Sequence, residues 1–179
     1  ITPQSEAAAL IGELFAEAVQ RVCSDSAIDA RSIELVGSHG QTIFHEGEPI
    51  TRPAMVRLFA TVLRREADGS HVLVTPVEKL GIDVDHTAFR ATQMTMEGEG
   101  EARRIGLTLD SGDALIVGPD HPLTVTDSAD GISPRVAVRF GLEAELERPL
   151  YYELADIALA EGHDPPGVWS DGSFYALVP

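Results

Sequence analysis

Asp68-Gly69-Ser70-His71-Val72-Leu73-Val74-Thr75-Pro76 and Asp171-Gly172-Ser173-Phe174-Tyr175-Ala176-Leu177-Val178-Pro179 share one design: an Asp-Gly-Ser turn, five residues and a proline. Each stretch lies downstream of an Arg-Pro pair, Arg52-Pro53 or Arg148-Pro149, that opens a helical pattern. A recurring order of this kind marks one supersecondary unit used twice. Chance is the competing explanation, because proline in the first helical turn and Asp-Gly turns are both common. The matched spacing between turn and proline favours duplication.

Outward from the first copy, Val56, Phe59, Val62 and Leu63 form the apolar face of a helix that starts at Pro53 and ends by Asp68-Gly69. His71–Thr75 has the length of a strand. From there to about Phe140 strands and turns alternate, with strands expected over 81–84, 89–96, 105–109, 114–117, 123–126 and 135–138. Leu142–Leu146 is another alternating run. Pro149 opens a second helix with Leu150, Leu154, Ile157 and Ala158 on its apolar face, Gly162 closes it, and Phe174–Val178 is the last strand. Upstream, Leu10, Ile11, Leu14, Phe15, Ala18, Val19 and Val22 recur at helical spacing over residues 3–24. A polar connection over 24–31, a strand over 33–36, a turn over 37–40 and a strand over 41–45 follow, and Glu46–Pro49 breaks the chain. Antiparallel strands with few helices define an α+β class. The expected architecture is a set of duplicated strand-helix-strand units forming two small related domains.

With 179 residues, 44% of them hydrophobic, the chain can bury a core. Its 23% charged residues and near-zero mean hydropathy are those of a folded, soluble protein. No apolar run approaches the roughly 20 residues that cross a bilayer, and no basic n-region of a secretory signal is present, so a cytoplasmic location is expected. The net charge of −16 argues against polymeric nucleic acid and anionic membranes as partners. A local arginine cluster can still hold one small phosphorylated ligand, because screening limits the global field to about 10 Å. Lys79 is the only lysine beside twelve arginines, a bias that points to a GC-rich bacterial genome. An acidic surface also fits a salt-tolerant host. Cys23 stands alone, so neither an intrachain disulfide nor a multi-cysteine metal site can form, and it reads as a buried, inert thiol.

Gly37-Ser38-His39-Gly40-Gln41-Thr42 is the most site-like hexapeptide. Its glycines let backbone approach a ligand, while Ser38, His39 and Gln41 offer donors and acceptors. A tight turn whose polar groups cap one another fits equally well. This stretch, within about residues 6–45, resembles the N-terminal lobe of anhydro-N-acetylmuramic acid kinases, which phosphorylate a 1,6-anhydro sugar with ATP and Mg²⁺ in cell-wall recycling. That resemblance implies sugar contacts by Gly37, Ser38, His39, Gly40, Gln41 and Thr42. The family's Gly-Thr-Met-Ser-Gly-Thr-Ser nucleotide loop and the segment bearing its catalytic Asp have no counterpart here, and a kinase needs all these parts together. Kinase activity is therefore not expected of this chain. The alternative is a remnant or fragment of such an enzyme.

The remaining chain carries another resemblance. Glu48-Pro49-Ile50, Arg52-Pro53, Val56-Arg57-Leu58-Phe59, Val62-Leu63-Arg64-Arg65, Leu73–Lys79, His121-Pro122-Leu123, Arg148–Leu154 and Gly167–Gly172 run in one order. Over about residues 47–179 they resemble the bacterial domain-of-unknown-function family 1285. The resemblance implies a duplicated core, a second domain like pleckstrin-homology folds, no enzymatic activity, and a nucleotide-like ligand at the domain interface with a role in signalling. The expected domains are 1–46, kinase-like in sequence, 47–100, and 101–179. A kinase-like segment stands where the family carries a Trp-containing one, so the chain reads as a hybrid of the two.

Within that larger part Thr75, Glu78 and Lys79 form the preferred ligand-binding element: a strand-ending Thr, a Pro-fixed exit and adjacent opposite charges. A loop with a solvated ion pair is the plainer alternative. Arg57, Arg64 and Arg65 are phosphate candidates, since guanidinium forks match phosphate oxygens. Arg57 and Arg64, seven apart, are expected on one helix face, where a solvated surface is again the plainer reading. Asp83, Asp85 and His86 have metal-ligand types, but no second cluster supports them and no metal or other cofactor is expected. Glu97, Glu99 and Glu101 around a Gly-x-Gly read as a solvated hairpin. Trp169, Phe174 and Tyr175 suit either base stacking or packing against the second helix. The expected function is a non-enzymatic small-ligand-binding or signalling module, with a protein-interaction module as a further alternative.

Overall fold

Directly after an apolar-faced helix, Leu63-Arg64-Arg65 switches the chain from helical to strand periodicity, and this switch sets the first half of the protein. The computed structural model describes residues 33–35, 43–45, 48–50, 52–128 and 131–179. The expected helix over 3–24, Cys23, the connection over 24–31 and the Gly37–Thr42 turn lie outside the described residues. The chain divides between His86 and Thr87 into two compact units. Two helices and fourteen strands among the described residues make it a mixed α+β protein dominated by sheet. None of these helices is long and apolar enough to cross a membrane.

In the first unit β1 (Ile33–Leu35) pairs antiparallel with β2 (Ile43–His45), and β2 with β3 (Glu48–Pro49). Glu48 and Pro49 thus extend a small sheet rather than merely breaking the chain. Pro49 is tolerated there because β3 is an edge strand. Helix α1 (Pro53–Val62) starts as expected: proline, which lacks an N–H, fills a first-turn position where that donor has no intrahelical acceptor. Met55, Phe59 and Val62 recur at helical spacing and are buried, each such side chain contributing about 1.5–3 kcal/mol.

α1 ends at Val62, six residues before Asp68, where the sequence pattern placed its end. Leu63 turns extended, and β4 (Leu63–Arg65), β5 (His71–Val74) and β6 (Lys79–Ile82) form an antiparallel sheet. Leu63 pairs with Leu73, Arg64 with Val72, and Arg65 with His71. Burial of Leu63 and Leu73 together outweighs continuation of the helix, so Arg57 and Arg64 do not share a helix face. The third strand starts two residues earlier than expected, bringing Lys79 into β6. Asp83 and Asp85 fall beyond β6 in irregular chain.

The second unit is built on a six-stranded sheet of β7 (Phe89–Glu97), β8 (Arg104–Leu109), β9 (Ala114–Ile116), β10 (Leu123–Ser128), β11 (Gly131–Ala137) and β12 (Glu143–Leu146). Its order is β10-β11-β12-β7-β8-β9, with β12 parallel to β7 and every other pair antiparallel. Phe89–Glu97, which the sequence reading grouped with the first domain, is therefore central to this sheet. The connection after it has no buried residue from Gly98 to Ala102 and contains a short 3-10 turn, Gly100–Ala102, in keeping with the expected solvated hairpin, and only Arg103 at its end is buried.

Ile105, Leu107 and Leu109 alternate along β8 to fill the core, together with Phe89, Ala91, Val136, Ala144 and Leu146. Helix α2 (Arg148–Glu161) adds Leu154 and Ala158 and ends at Gly162 as expected. β13 (Gly167–Ser170), a strand the sequence reading missed, pairs with β14 (Ser173–Ala176). This hairpin contributes buried Val168 and Tyr175. Trp169 and Phe174 point the other way, where their rings meet edge to face at 5.4 Å and His163 approaches Phe174 at 5.3 Å.

Candidate functional site

Residues 52–82 hold five arginines and lysines against three acids, in a chain whose net charge is −16. That local excess of positive charge is carried by α1 and the β4–β6 sheet. Arg57 projects from the exposed side of α1, away from Met55 and Phe59. Arg64 and Lys79 lie on one face of the sheet, because their cross-strand partners Val72 and Val74 are two residues apart. Arg65 and His71 are directly paired on the opposite face. Burial, and then the neighbouring Arg65 charge, push the His71 imidazole below its ordinary 6.5, so near neutral pH the ring is uncharged and the cation there is Arg65.

The turn favoured from the sequence proves to be closed on itself. The Thr75 N–H donates to the Glu78 carbonyl at 2.8 Å, and the Glu78 N–H donates to the Thr75 hydroxyl at 3.0 Å. The Thr75 hydroxyl also lies 3.1 Å from the Glu78 carbonyl. Thr75 therefore holds the turn, and Val77 at its tip is 70% exposed. Lys79 Nζ makes an ion pair with Glu66 Oε1 at 2.9 Å on a half-exposed surface. Exposed pairs of this kind contribute about 0–1 kcal/mol, so an incoming anion can compete for the ammonium.

The sheet thus brings Arg64 and Lys79 onto one face and leaves Arg57 on the helix. Gly37, Ser38, His39, Gly40, Gln41 and Thr42 lie outside the described residues. His71 was not read as part of a site. Its signal is the strand pairing that sets it opposite Arg65, which appears only once β4 is recognised. Among the described residues no group of three or more His, Cys, Asp and Glu side chains could hold a metal ion.

The second unit carries a different polar cluster. Arg103, only 7% exposed, pairs through Nη2 with Glu161 Oε1 at the end of α2. The His163 ring stands 3.6 Å from the other Glu161 oxygen. The hydrogen bond from Arg103 is the main cause that holds the Glu161 carboxyl below its ordinary 4.5. Ser170, fully buried, accepts the Ile105 N–H at 3.0 Å and donates to the Val117 carbonyl at 2.6 Å. These contacts fasten the hairpin and α2 to the sheet.

Two family descriptions together cover residues 29–177: "Domain of unknown function (DUF1285), N-terminal domain" matches 29–87, and "Protein of unknown function (DUF1285), C-terminal domain" matches 88–177. The chain belongs to the DUF1285 family. The N-terminal match begins upstream of residue 47, inside the stretch that resembles the kinases. A crystal structure of a DUF1285 family protein from Silicibacter pomeroyi DSS-3 is 38% identical, with a TM-score of 0.73 over 81% of this chain and 79% of that one. A second, from Shewanella baltica OS155, is 18% identical, with a TM-score of 0.53 over 71% of this chain and 92% of that one, and shares the fold.

Curated relatives include an anhydro-N-acetylmuramic acid kinase of Bacillus cereus, 44% identical over 39 residues, or 22% of this chain and 10% of the kinase. The kinase of Salinibacter ruber is 30% identical over 95 residues, or 51% of this chain and 21% of the kinase. The chain spans about a tenth of the length of the first curated relatives it matches.

Proposed function

We propose that this DUF1285 protein is a non-enzymatic module that binds a small anionic, nucleotide-like ligand and serves in signalling. One observation carries the proposal: the excess of cations over residues 52–82 in a chain that is otherwise strongly acidic. Arg57 and Arg64 offer planar forks that match phosphate oxygens, and Lys79 offers a point charge that Glu66 holds in place until an anion competes. Thr75 and Glu78 act on the ligand only indirectly, by fixing the turn that leads into Lys79.

We propose an internal duplication as well. Two related domains descend from a duplicated unit, the second of them pleckstrin-homology-like. In its support, α1 and α2 each follow a short strand and each lead to an antiparallel hairpin that reverses at an Asp-Gly pair followed by Ser.

A second reading is favoured by the 44% identity to a kinase over 39 residues. In that reading the Gly37–Thr42 segment contacts a 1,6-anhydro sugar, as a fragment of the kinase site that uses ATP and Mg²⁺.

A thermal-shift screen separates the two. A ligand at 100 times its dissociation constant adds about 2.7 kcal/mol to stability, a readily measured rise in Tm. The proposal expects stabilisation by one of a panel of nucleotides and dinucleotides, lost in Arg57→Ala/Arg64→Ala and weakened in Lys79→Ala. Stabilisation by 1,6-anhydro-N-acetylmuramic acid instead would favour the second reading, and a nucleotide effect indifferent to all three cations would overturn the site.

A further inference from the structure

α2 has two faces of different character. Leu154 and Ala158 are buried against the sheet. On the far side Tyr152 is 61% exposed and Leu159 is 70% exposed, seven residues apart. That spacing is two helical turns, about 10.5 Å along one stripe of the helix. Asp156 is exposed beside this stripe and Glu153 is exposed about a quarter-turn to one side of it, and among the described residues neither forms an ion pair. A solvent-facing helix stripe is ordinarily polar throughout. This one carries two large apolar side chains, with the Asp156 carboxylate beside them and the Glu153 carboxylate on their flank.

We propose that the outer stripe of α2 docks a basic amphipathic segment of another protein, which sets apolar side chains against Tyr152 and Leu159 and lysines or arginines against Glu153 and Asp156. The charges select this occupant. A second copy of the chain, meeting the same stripe across a two-fold axis, would press carboxylates on carboxylates between molecules of net charge −16. A polyanion is repelled by the same groups. A cationic segment is attracted, and apolar residues two turns apart on it meet Tyr152 and Leu159 in register. The fourteen residues of α2 span about 21 Å, enough to seat three to four turns of a partner helix.

Fluorescence anisotropy on the full chain tests this with a labelled synthetic helix made only of leucine and lysine, its leucines on one stripe. A peptide of the same composition with the leucines distributed around the helix is the control. The striped peptide is expected to bind at least about tenfold more tightly than the control, and Tyr152→Ser or Leu159→Ser each to weaken it about tenfold. Glu153→Gln/Asp156→Asn should weaken it and flatten its salt dependence, while Glu97→Gln/Glu99→Gln/Glu101→Gln leaves it unchanged. These are exposed positions, and an unchanged Tm verifies that each variant folds. Equal binding of the two peptides, an equal loss in the Glu97/Glu99/Glu101 variant, or no binding at all would overturn the proposal. So would a dimer in sedimentation that Leu159→Ser converts to monomer, since the stripe would then hold a second copy.

Discussion

The tripeptide Asp-Gly-Ser forms a different turn in each unit. In the first, the loop Glu66–Ser70 joins β4 to β5, and the Asp68 carboxylate accepts both the Ser70 N–H at 2.9 Å and the Ser70 hydroxyl at 2.6 Å. These hydrogen bonds, the one from the hydroxyl first, hold the Asp68 carboxyl below its ordinary 3.8. In the second, Asp171 and Gly172 form a two-residue turn with φ of 49° and 73°, because Ser170 pairs directly with Ser173. There the Asp171 N–H donates to the Arg103 carbonyl at 2.9 Å, and its carboxylate reaches Arg104 at 3.4 Å. The residue before the Asp makes the difference. Ala67 is exposed and leaves the first loop to close on itself, whereas Ser170 is buried and ties the second hairpin to the sheet. A short motif therefore sets where the chain reverses, and long-range partners set how.

The contrast breaks most visibly at Glu161, whose cluster with Arg103 has no equivalent among the described ion pairs of the first unit. Glu161→Ala should lower stability by about 3 kcal/mol, toward the low end for stripping a buried cation of its partner, because the Glu161 side chain keeps some exposure. Chemical denaturation measures it. The same pair predicts a pH dependence. The folded carboxyl titrates below 4.5, so its contribution is fully present above that value and is lost as pH falls through the folded value. Glu161→Gln should flatten this acid limb of the stability curve. An unchanged limb would mean that the Arg103 contact does not hold the carboxylate in solution.

Ser170→Ala is expected to come next, at about 2 kcal/mol, because it strands the Ile105 N–H and the Val117 carbonyl away from water. Ala67→Ser at the matching position of the first copy should change little, since that residue is exposed and its loop is already closed. Similar losses at the two positions would erase the distinction between an anchored hairpin and a free one.

The sequence made some of this legible and hid the rest for physical reasons. Strands β7 and β8 announce themselves by alternation, and α2 by Pro149, Leu154, Ala158 and Gly162, because these signals are local. β4 does not. Leu63 continues the helical stripe of Phe59 and Val62 as well as it begins a strand, and only pairing with Leu73 decides between them. β13 is four residues long with little alternation, since Gly167, Val168 and Ser170 are all buried. At the candidate site Arg57 was legible as an exposed cation. The closing of the turn by Thr75 and Glu78, and the reach of Lys79 to Glu66, depend on contacts that spacing does not encode.

The finest comparison lies in the turn glycines. Gly69 has φ of 89° and Gly172 of 73°, both in the left-handed region where a Cβ is strained. Neither would meet a close obstruction, since the nearest atom to an added Cβ at Gly69 is Arg65 Nη2 at 3.8 Å and none lies within 4 Å at Gly172. Strain alone therefore decides the outcome. A two-residue turn has no slack: both of its residues need positive φ, and the strands on either side fix its ends. Gly172→Ala should lower stability by about 1 kcal/mol, while Gly69→Ala should lower it by less, because a five-residue loop can share the adjustment among its neighbours. Paired thermal melts of the two variants read the difference directly. A larger loss at Gly69 would show that the Asp68–Ser70 hydrogen bonds hold the first loop as rigidly as the sheet anchor holds the second.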